Sequence, residues 1–286
     1  MKVTLLGTGS PEPHARRASS GYLVETGADT LLLDCGGGVF DRLIQSGRKP
    51  SDIGKLFFTH LHSDHMMDYA RLVHANWDGR GKDYDVWGPP PIASITEKLF
   101  GRDGVFATDL TARTENEGSK AVWVARGGTL PRPWPAPKVT EVMPGFAAQG
   151  PDWKLTSCEV PHAQPWLECM AFRIETSSGA FVYSGDAGPC DALEELSQGA
   201  DLLVHWCYRL SHETASAYIA ARSPAPAEIA AMAQRAGVKQ LVVSHFRPHM
   251  DAPGVHEKVL MEMQANFSGQ AVIAEDLMHF TIDART

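Results

Sequence analysis

The feature that most constrains the fold is a dense group of metal-ligand side chains directly after an apolar β-strand. Residues 53–59 predict a strand with an apolar centre. The group that follows it at once consists of His60, His62, Asp64 and His65. Imidazole nitrogens and carboxylate oxygens are the ligands that zinc prefers, and burying them together without a cation is costly. We therefore expect a metal site where this strand ends, and a solvated polar loop is the alternative.

Three further candidate ligands come at or just past the ends of other predicted strands. They are His162, Asp186 and His245. Because strand ends on one face of a sheet converge, these side chains are expected to join the first group. Two zinc ions need about seven protein ligands, with a bridging hydroxide completing their coordination. The sequence therefore predicts a dinuclear site.

The remaining elements favour an α+β fold. Strands are predicted over 3–6, 21–25, 30–33, 155–160, 170–176, 180–184, 201–205, 240–244, 271–274 and 279–282, and helices over 39–46, 92–100, 193–197, 225–236 and 255–267. Strands come first in runs and later alternate with helices. This order favours an αββα sandwich, with two mixed sheets packed inside and helices outside.

We expect a single domain over 1–286, with an irregular insertion around 100–150. This insertion is rich in proline and tryptophan, and four of its prolines lie between residues 131 and 137. Proline at that density prevents a helix or a central strand. The insertion is interpreted either as a rigid surface loop or as a pocket wall or dimer contact.

Composition sets expectations for partners and compartment. The formal net charge is −8, whereas proteins that bind nucleic acid through its phosphates usually carry a basic surface. We therefore expect a small-molecule substrate and consider nucleic acid unlikely. Five cysteines without C-x-x-C spacing predict reduced thiols in a cytoplasmic protein. No apolar run reaches the roughly 18 residues that cross a bilayer, so no membrane association is expected.

Taken together, the ligand pattern resembles the metallo-β-lactamase superfamily. The pattern is His-x-His-x-Asp-His, then a later His, then Ser-Gly-Asp and a final Ser-His. The opening 6–11 segment and Asp34-Cys35-Gly36 resemble the ribonuclease Z branch and its arylsulfatase-like and phosphodiesterase-like relatives. This resemblance implies a metallo-β-lactamase-type fold, a possible homodimer and two Zn²⁺ per chain, with Mn²⁺ or iron as alternatives.

The same resemblance implies a role for each ligand. His60, His62 and His162 would hold the first metal, and Asp64, His65 and His245 the second. Asp186 would bridge both. A hydroxide shared by the metals would be the nucleophile, oriented by Asp64, so that no serine or cysteine nucleophile is needed.

The chain departs from the ribonuclease Z pattern at two positions. That branch carries a His-Glu pair in the strand after the bridging aspartate, and a histidine before the helix that precedes the last ligand. Here Trp206 replaces the glutamate, and residues 220–224 contain no histidine. The neighbouring His205 is either a packed side chain or a hydrogen-bond partner of a metal ligand. Because the two missing groups handle protons in tRNA cleavage, their absence favours a different substrate.

Other side chains are candidates for the mouth of the site. His249 is a candidate proton donor, with a surface-loop histidine as the alternative, and Arg247 is a candidate contact for an anionic group. Trp166 and Trp206 suit an aromatic-lined pocket, although core packing is the alternative. His14, after the opening turn, is a further candidate for the mouth, with no role in the site as the alternative.

These observations lead to a dinuclear zinc-dependent hydrolase that acts on a small aryl or ester-like substrate. The substrate classes are a phosphodiester, a sulfate ester, a carboxylic ester, a lactone and an activated aryl halide. The alternatives are a ribonuclease Z-type tRNA 3′ processing endonuclease and a non-catalytic metal-binding module. A redox diiron site is a further alternative, but no flavin-binding segment accompanies it.

Overall fold

The computed structural model describes residues 1–284, which form two seven-stranded sheets with helices on their outer sides. The strands are β1 (Lys2–Gly7), β2 (Gly21–Glu25), β3 (Thr30–Leu33), β4 (Lys55–Phe57), β5 (Asp85–Gly88), β6 (Lys138–Glu141), β7 (Ala147–Gln149), β8 (Trp153–Glu159), β9 (Met170–Thr176), β10 (Gly179–Tyr183), β11 (Leu202–Trp206), β12 (Gln240–Ser244), β13 (Gln270–Ile273) and β14 (His279–Thr281). The helices are α1 (Val39–Gln45), α2 (Ser63–Met66), α3 (Tyr69–Asp78), α4 (Ile92–Phe100), α5 (Ala107–Glu115), α6 (Glu117–Ala125), α7 (Asp191–Leu196), α8 (Ala217–Ala220), α9 (Pro226–Arg235) and α10 (Val255–Gln264).

Each sheet is half antiparallel and half parallel. The first has the order β14-β1-β2-β3-β4-β5-β6 and is parallel from β3 to β6. The second has the order β13-β12-β11-β10-β9-β8-β7 and is parallel from β10 to β13. The predicted αββα sandwich of two mixed sheets is therefore confirmed. Parallel strands end at a common edge, so polar residues that follow them are brought together there.

Three apolar layers hold the sandwich together. The central layer lies between the sheets and includes Phe57, Phe172 and Val242. An outer layer packs α1, α3 and α4 against the first sheet, and another packs α7, α9 and α10 against the second. Full burial of one such side chain contributes about 1.5–3 kcal/mol, which makes this burial the main stabilising term.

The segment around 100–150 is more regular than its prolines led us to expect. It contains α5 and α6, and its strands β6 and β7 form edges of the two sheets. The prolines at 131–137 lie in the connection after α6, so they leave the helices intact. The helices bury Leu110 and Trp123, and the Asn116 side chain accepts a hydrogen bond from the Ser119 N–H at the start of α6.

Two expectations concern cysteines and membrane spans. All five cysteines are free thiols. Within residues 1–284, no helix combines the length and apolar character needed to cross a bilayer.

Candidate metal centre

The first part of the site is built where β4 ends. His60 lies three residues beyond β4, and the short helix α2 then carries Asp64 and His65. The glycine-rich turn after β3 packs directly against this loop. A Cβ at Gly36 would lie 2.0 Å from the Asp64 carbonyl oxygen, so only glycine allows this approach. The Cys35 N–H donates to the His65 carbonyl at 2.7 Å and fixes the loop.

The structure brings the seven predicted ligands together in two adjoining groups. One consists of His60, His62 and His162, and the other of Asp64, His65, Asp186 and His245. In each group the ligand atoms all lie within 4.8 Å of one another.

Asp186 lies between the two groups. Its Oδ2 is 3.7 Å from His162 Nε2 and 4.0 Å from His60 Nε2, both in the first group. Its Oδ1 is 3.4 Å from His65 Nε2, and its Oδ2 is 3.3 Å from His245 Nε2, both in the second. One carboxylate therefore faces both groups, which is the arrangement that a bridging ligand requires.

The contacts among these side chains fit a divalent metal. His62 Nδ1 lies 3.1 Å from His60 Nε2 and 3.2 Å from His162 Nε2, so three imidazole nitrogens converge. His65 Nε2 and Asp186 Oδ1 are buried without a hydrogen-bond partner. Buried polar atoms normally have partners, and these two point at a common space. Nitrogen and oxygen ligands in such a set suit Zn²⁺, Mn²⁺ or iron.

Burial prepares the first group for metal binding. It lowers the pKa of His162 to about 4 and the pKa of His60 well below its usual value. Both imidazoles are therefore neutral near pH 7, as a metal ligand must be. Burial opposes the negative charge of Asp186, but the neighbouring His245 and His65 outweigh it and hold its pKa well below the usual range. Asp186 is therefore a carboxylate.

Sequence reasoning missed the role of Asp34, which follows β3. This fully buried carboxylate accepts hydrogen bonds from His65 Nδ1 at 2.8 Å, from the Thr59 hydroxyl at 2.8 Å and from the Tyr183 hydroxyl at 2.9 Å. It therefore fixes the orientation of the His65 ring and directs Nε2 towards the metal space. The available signal was an aspartate at the end of an apolar strand parallel to β4.

Trp206 is buried beside the ligands. Its ring centroid lies 5.2 Å from that of His162 and 5.6 Å from that of His245, and its indole N–H donates to the Ala187 carbonyl. His205 is also buried and its Nδ1 bonds the Trp206 carbonyl at 2.8 Å, which supports packing as its role. Tyr208, which sequence reasoning passed over, stacks on Trp206.

The other candidates lie outside the ligand groups. His249 Nε2 is 2.8 Å from Glu213 Oε1, and the Arg247 Nε–H donates to Glu12 Oε1 at 2.9 Å. Trp166 is 88% exposed on the loop after His162, so it is a surface side chain in this structure. His14 belongs to another cluster, because its Nε2 lies 2.9 Å from Asp251.

Comparison with known proteins supplies the family. The model of the β-lactamase superfamily domain matches residues 29–246, so the chain belongs to the metallo-β-lactamase superfamily of metal-dependent hydrolases. Ribonuclease Z of Mycobacterium bovis (strain BCG / Pasteur 1173P2) is 31% identical over 297 aligned residues, covering 100% of this chain and 99% of the relative. Ribonuclease Z of Mycobacterium sp. (strain KMS) is 32% identical over 97% of this chain and 94% of the relative.

Solved structures show the same fold. The metallo-β-lactamase fold protein YhfI from Bacillus subtilis aligns with a TM-score of 0.74 and 24% identity, covering 98% of both chains. Human tRNase Z, short form, aligns with a TM-score of 0.70 and 20% identity over 99% of both chains.

These relatives conflict with our expectation that nucleic acid is an unlikely partner. That expectation came from the net charge of the whole chain, and relatives aligned over its full length are named ribonuclease Z. Net charge averages the surface and does not report a local basic region, which is what contacts a phosphate.

Proposed function

We propose that this protein is a two-metal phosphodiesterase of the ribonuclease Z type, with RNA as its substrate class. The observation that carries the proposal is that the Asp186 carboxylate faces the first ligand group as well as the other members of its own group. The full-length similarity to proteins named ribonuclease Z supports the substrate class.

We assign the seven ligands to two metals in the way that the resemblance implies. His60, His62 and His162 would hold one metal and Asp64, His65 and His245 the other, with Asp186 shared. Bound there, two divalent ions activate water and stabilise charge on phosphoryl oxygens.

The surrounding side chains position water, phosphate and proton. Asp64, adjacent to His245 at 3.2 Å, orients the attacking water. Arg247 would contact a non-bridging phosphate oxygen after exchanging its bond with Glu12. His249, held by Glu213, would donate a proton to the departing oxygen.

A second candidate, a hydrolase of small aryl or ester-like substrates, is favoured by Trp206. A buried, hydrogen-bonded indole stands where the ribonuclease Z branch has its glutamate, and no histidine occurs in residues 220–224. The proton-handling pair of that branch is therefore replaced, and the Glu213–His249 pair would have to serve instead.

One experiment separates the two candidates. The metal-loaded protein is given a 3′-extended tRNA precursor in one series, and bis(p-nitrophenyl) phosphate, an aryl sulfate, an aryl acetate and a lactone in the other. The Asp186→Ala variant, purified identically, controls for contaminating nucleases. Cleavage of the precursor by the wild type alone supports the RNA proposal. Turnover of a small substrate with an uncleaved precursor would reject RNA and support the second candidate.

A further inference from the structure

A second polar site lies on α5 and α6, outside the metal centre. Three arginines there converge on one carboxylate, that of Asp78 at the end of α3. The Arg132 Nη2 donates to Asp78 Oδ1 at 2.9 Å, and the Nη1 atoms of Arg113 and Arg126 each lie 3.4 Å from an Asp78 oxygen. These side chains line an open cavity of about 490 Å³.

The charges lining this cavity are unbalanced. Among the residues of 1–284 that line it, Asp78 is the one carboxylate against three guanidinium groups, and the Arg113 Nε–H also donates to Asp109 outside it at 3.0 Å. Burial opposes ionisation of Asp78, but the hydrogen bond of Arg132 and the charges of the arginines outweigh it and lower its pKa. The Asp78 carboxylate is therefore ionised, and together with Asp109 it balances two of the three guanidinium charges, so that one positive charge remains for another anion.

Arg132 provides the observation that points to a ligand. The residue is only 9% exposed, its guanidinium carbon lies 3.6 Å from the centre of the Trp77 ring and 4.4 Å from that of Trp123, and its Nε–H has no hydrogen-bond partner. A buried guanidinium donor without an acceptor is costly, and it is held here in a fixed orientation by two indole rings.

The start of α6 adds donors to the same cavity. Gly118 and Ser119, in the first turn of this nine-residue helix, line the cavity beside Asn116. The first N–H groups of a helix lack partners within it, and the helix dipole favours an anion there. At this end of α6 the Ser119 N–H donates to the Asn116 side chain at 3.1 Å, and the Asn116 and Lys120 N–H groups donate to backbone carbonyls.

We propose that this arginine cavity, defined by Arg113, Arg126, Arg132 and the start of α6, binds a phosphate group. Guanidinium forks bind phosphate through two parallel hydrogen bonds, as they bind a carboxylate, and a phosphate offers more acceptor oxygens to a group of arginines. The phosphate belongs either to an RNA strand held beyond the cleavage point or to a small phosphate compound. The cavity lies at the end of α3 remote from the metal loop, about 15 Å along the helix axis.

The test uses the double variant Arg113→Gln/Arg126→Gln in the metal-loaded protein. Both arginines are half exposed, so their loss leaves the fold intact. The matched control is Arg71→Gln/Arg235→Gln, which removes two arginines of similar exposure that also pair with carboxylates. Binding of inorganic phosphate is followed by NMR through the Arg132 Nε–H resonance. Phosphate bound at the metal centre affects wild type, variant and control equally.

We expect the Arg132 resonance to shift on titration of the wild type and control, and the phosphate affinity of this site to fall roughly tenfold or more in the double variant. In a second arm, all three proteins carry Asp64→Asn, and binding of a 3′-extended RNA hairpin is measured. A roughly tenfold loss in this arm assigns the phosphate to RNA, and a loss confined to inorganic phosphate assigns it to a small compound. Equal behaviour of the double variant and the control in both arms overturns the proposal.

The RNA assignment alone rests on the proposed function. Turnover of bis(p-nitrophenyl) phosphate by the same three proteins, measured without Asp64→Asn, keeps the two hypotheses apart. Absence of this turnover in the wild type would mean that the metal centre is not a phosphodiesterase. We expect the turnover rate of the double variant to equal that of the wild type.

Discussion

Two clusters of aspartate and histidine can be compared within residues 1–284, and the metal centre differs from the other in the partners of its carboxylates. In the metal centre, Asp64 and Asp186 face imidazoles. In the other, the Asp251 cluster, a single carboxylate is surrounded by His14, Arg16, Arg17 and His256. Both clusters join segments that are distant in sequence, so position alone does not separate their roles.

The two clusters differ because the Asp251 cluster contains a buried arginine, Arg17, whose charge is permanent. Arg17 donates two hydrogen bonds to Asp251, at 2.8 and 2.7 Å, and is itself buried. Burial alone would raise the pKa of Asp251, but Arg17, with help from His256, lowers it to about 2. Over residues 1–284, the ion pairs of Asp64 and Asp186 are all with histidines. A carboxylate bound by arginine keeps a partner that cannot lose its charge, whereas imidazoles can give up a proton, so a carboxylate that faces them can turn its lone pairs to a metal.

The largest expected effect comes from Asp64→Asn. Because this change removes the carboxylate that orients water while keeping its shape, we expect kcat to fall by about 10²–10⁴-fold. The unfolding free energy should change by less than about 1 kcal/mol. Steady-state turnover of bis(p-nitrophenyl) phosphate and urea unfolding measure the two quantities. A variant with full activity would remove Asp64 from the mechanism.

Asp251→Asn should lower the stability of the protein and leave its activity almost unchanged. Losing the charge that Arg17 requires is expected to lower the unfolding free energy at pH 7 by about 2–4 kcal/mol, while kcat of the folded protein changes less than about twofold. The folded-state pKa of about 2 lies below the unfolded value, so this stabilisation is present above about pH 4 and is lost as pH falls towards 2.

Urea unfolding at several pH values tests this prediction. The stability difference between wild type and Asp251→Asn should shrink between about pH 4 and pH 2. A constant difference over that range would mean that the Asp251 charge does not stabilise the fold.

Asp34→Asn lies between these extremes, because Asp34 contacts a ligand and not the metal. We expect metal affinity and kcat/KM each to fall by about 10–100-fold. Competition with a chelator measures the affinity. Tyr183→Phe removes only one donor to Asp34 and serves as the control, with an expected change below about threefold. Equal losses in both variants would indicate general damage to the core and no orientation of His65.

The smallest change is expected from Trp206→Phe. The variant loses the indole hydrogen bond to Ala187 and part of the packing, so the unfolding free energy should fall by about 1–2 kcal/mol. Relative turnover of RNA and aryl substrates should stay the same if Trp206 only packs. A changed ratio would make Trp206 a residue that selects the substrate.

The sequence predicts which residues gather at the metal centre, but not the partners of isolated side chains. The seven candidate ligands are predictable because each follows an apolar strand. Strand β4 is parallel to its neighbours, and β10 to β12 are parallel to one another. Strand β8, which precedes His162, runs in the same direction as β10 because the antiparallel β9 lies between them, so the ends of these strands meet at a common edge. The partner of an isolated side chain depends on packing between distant segments. The sequence therefore leaves His14 as one candidate for the mouth and does not show that its partner is Asp251, nor that Asp34 is the partner of His65.

The proline content of the segment around 100–150 and the net charge of the chain show a second limit of prediction from sequence. The prolines at 131–137 dominated the interpretation of that segment, while the preceding residues formed α5 and α6 through local propensity and burial of Trp123. Similarly, a net charge of −8 conceals three arginines gathered around Asp78. Both errors arose because a property of a long stretch was applied to all of its parts.

The most direct test of the central claim is a metal titration of the chelator-stripped protein. Bound zinc or manganese is counted by mass spectrometry while bis(p-nitrophenyl) phosphate turnover is followed. We predict uptake of about two ions per chain, with activity rising until both are bound, and loss of that uptake in Asp186→Ala. A protein that takes up no metal, or that binds two ions and is equally active without them, would contradict the account.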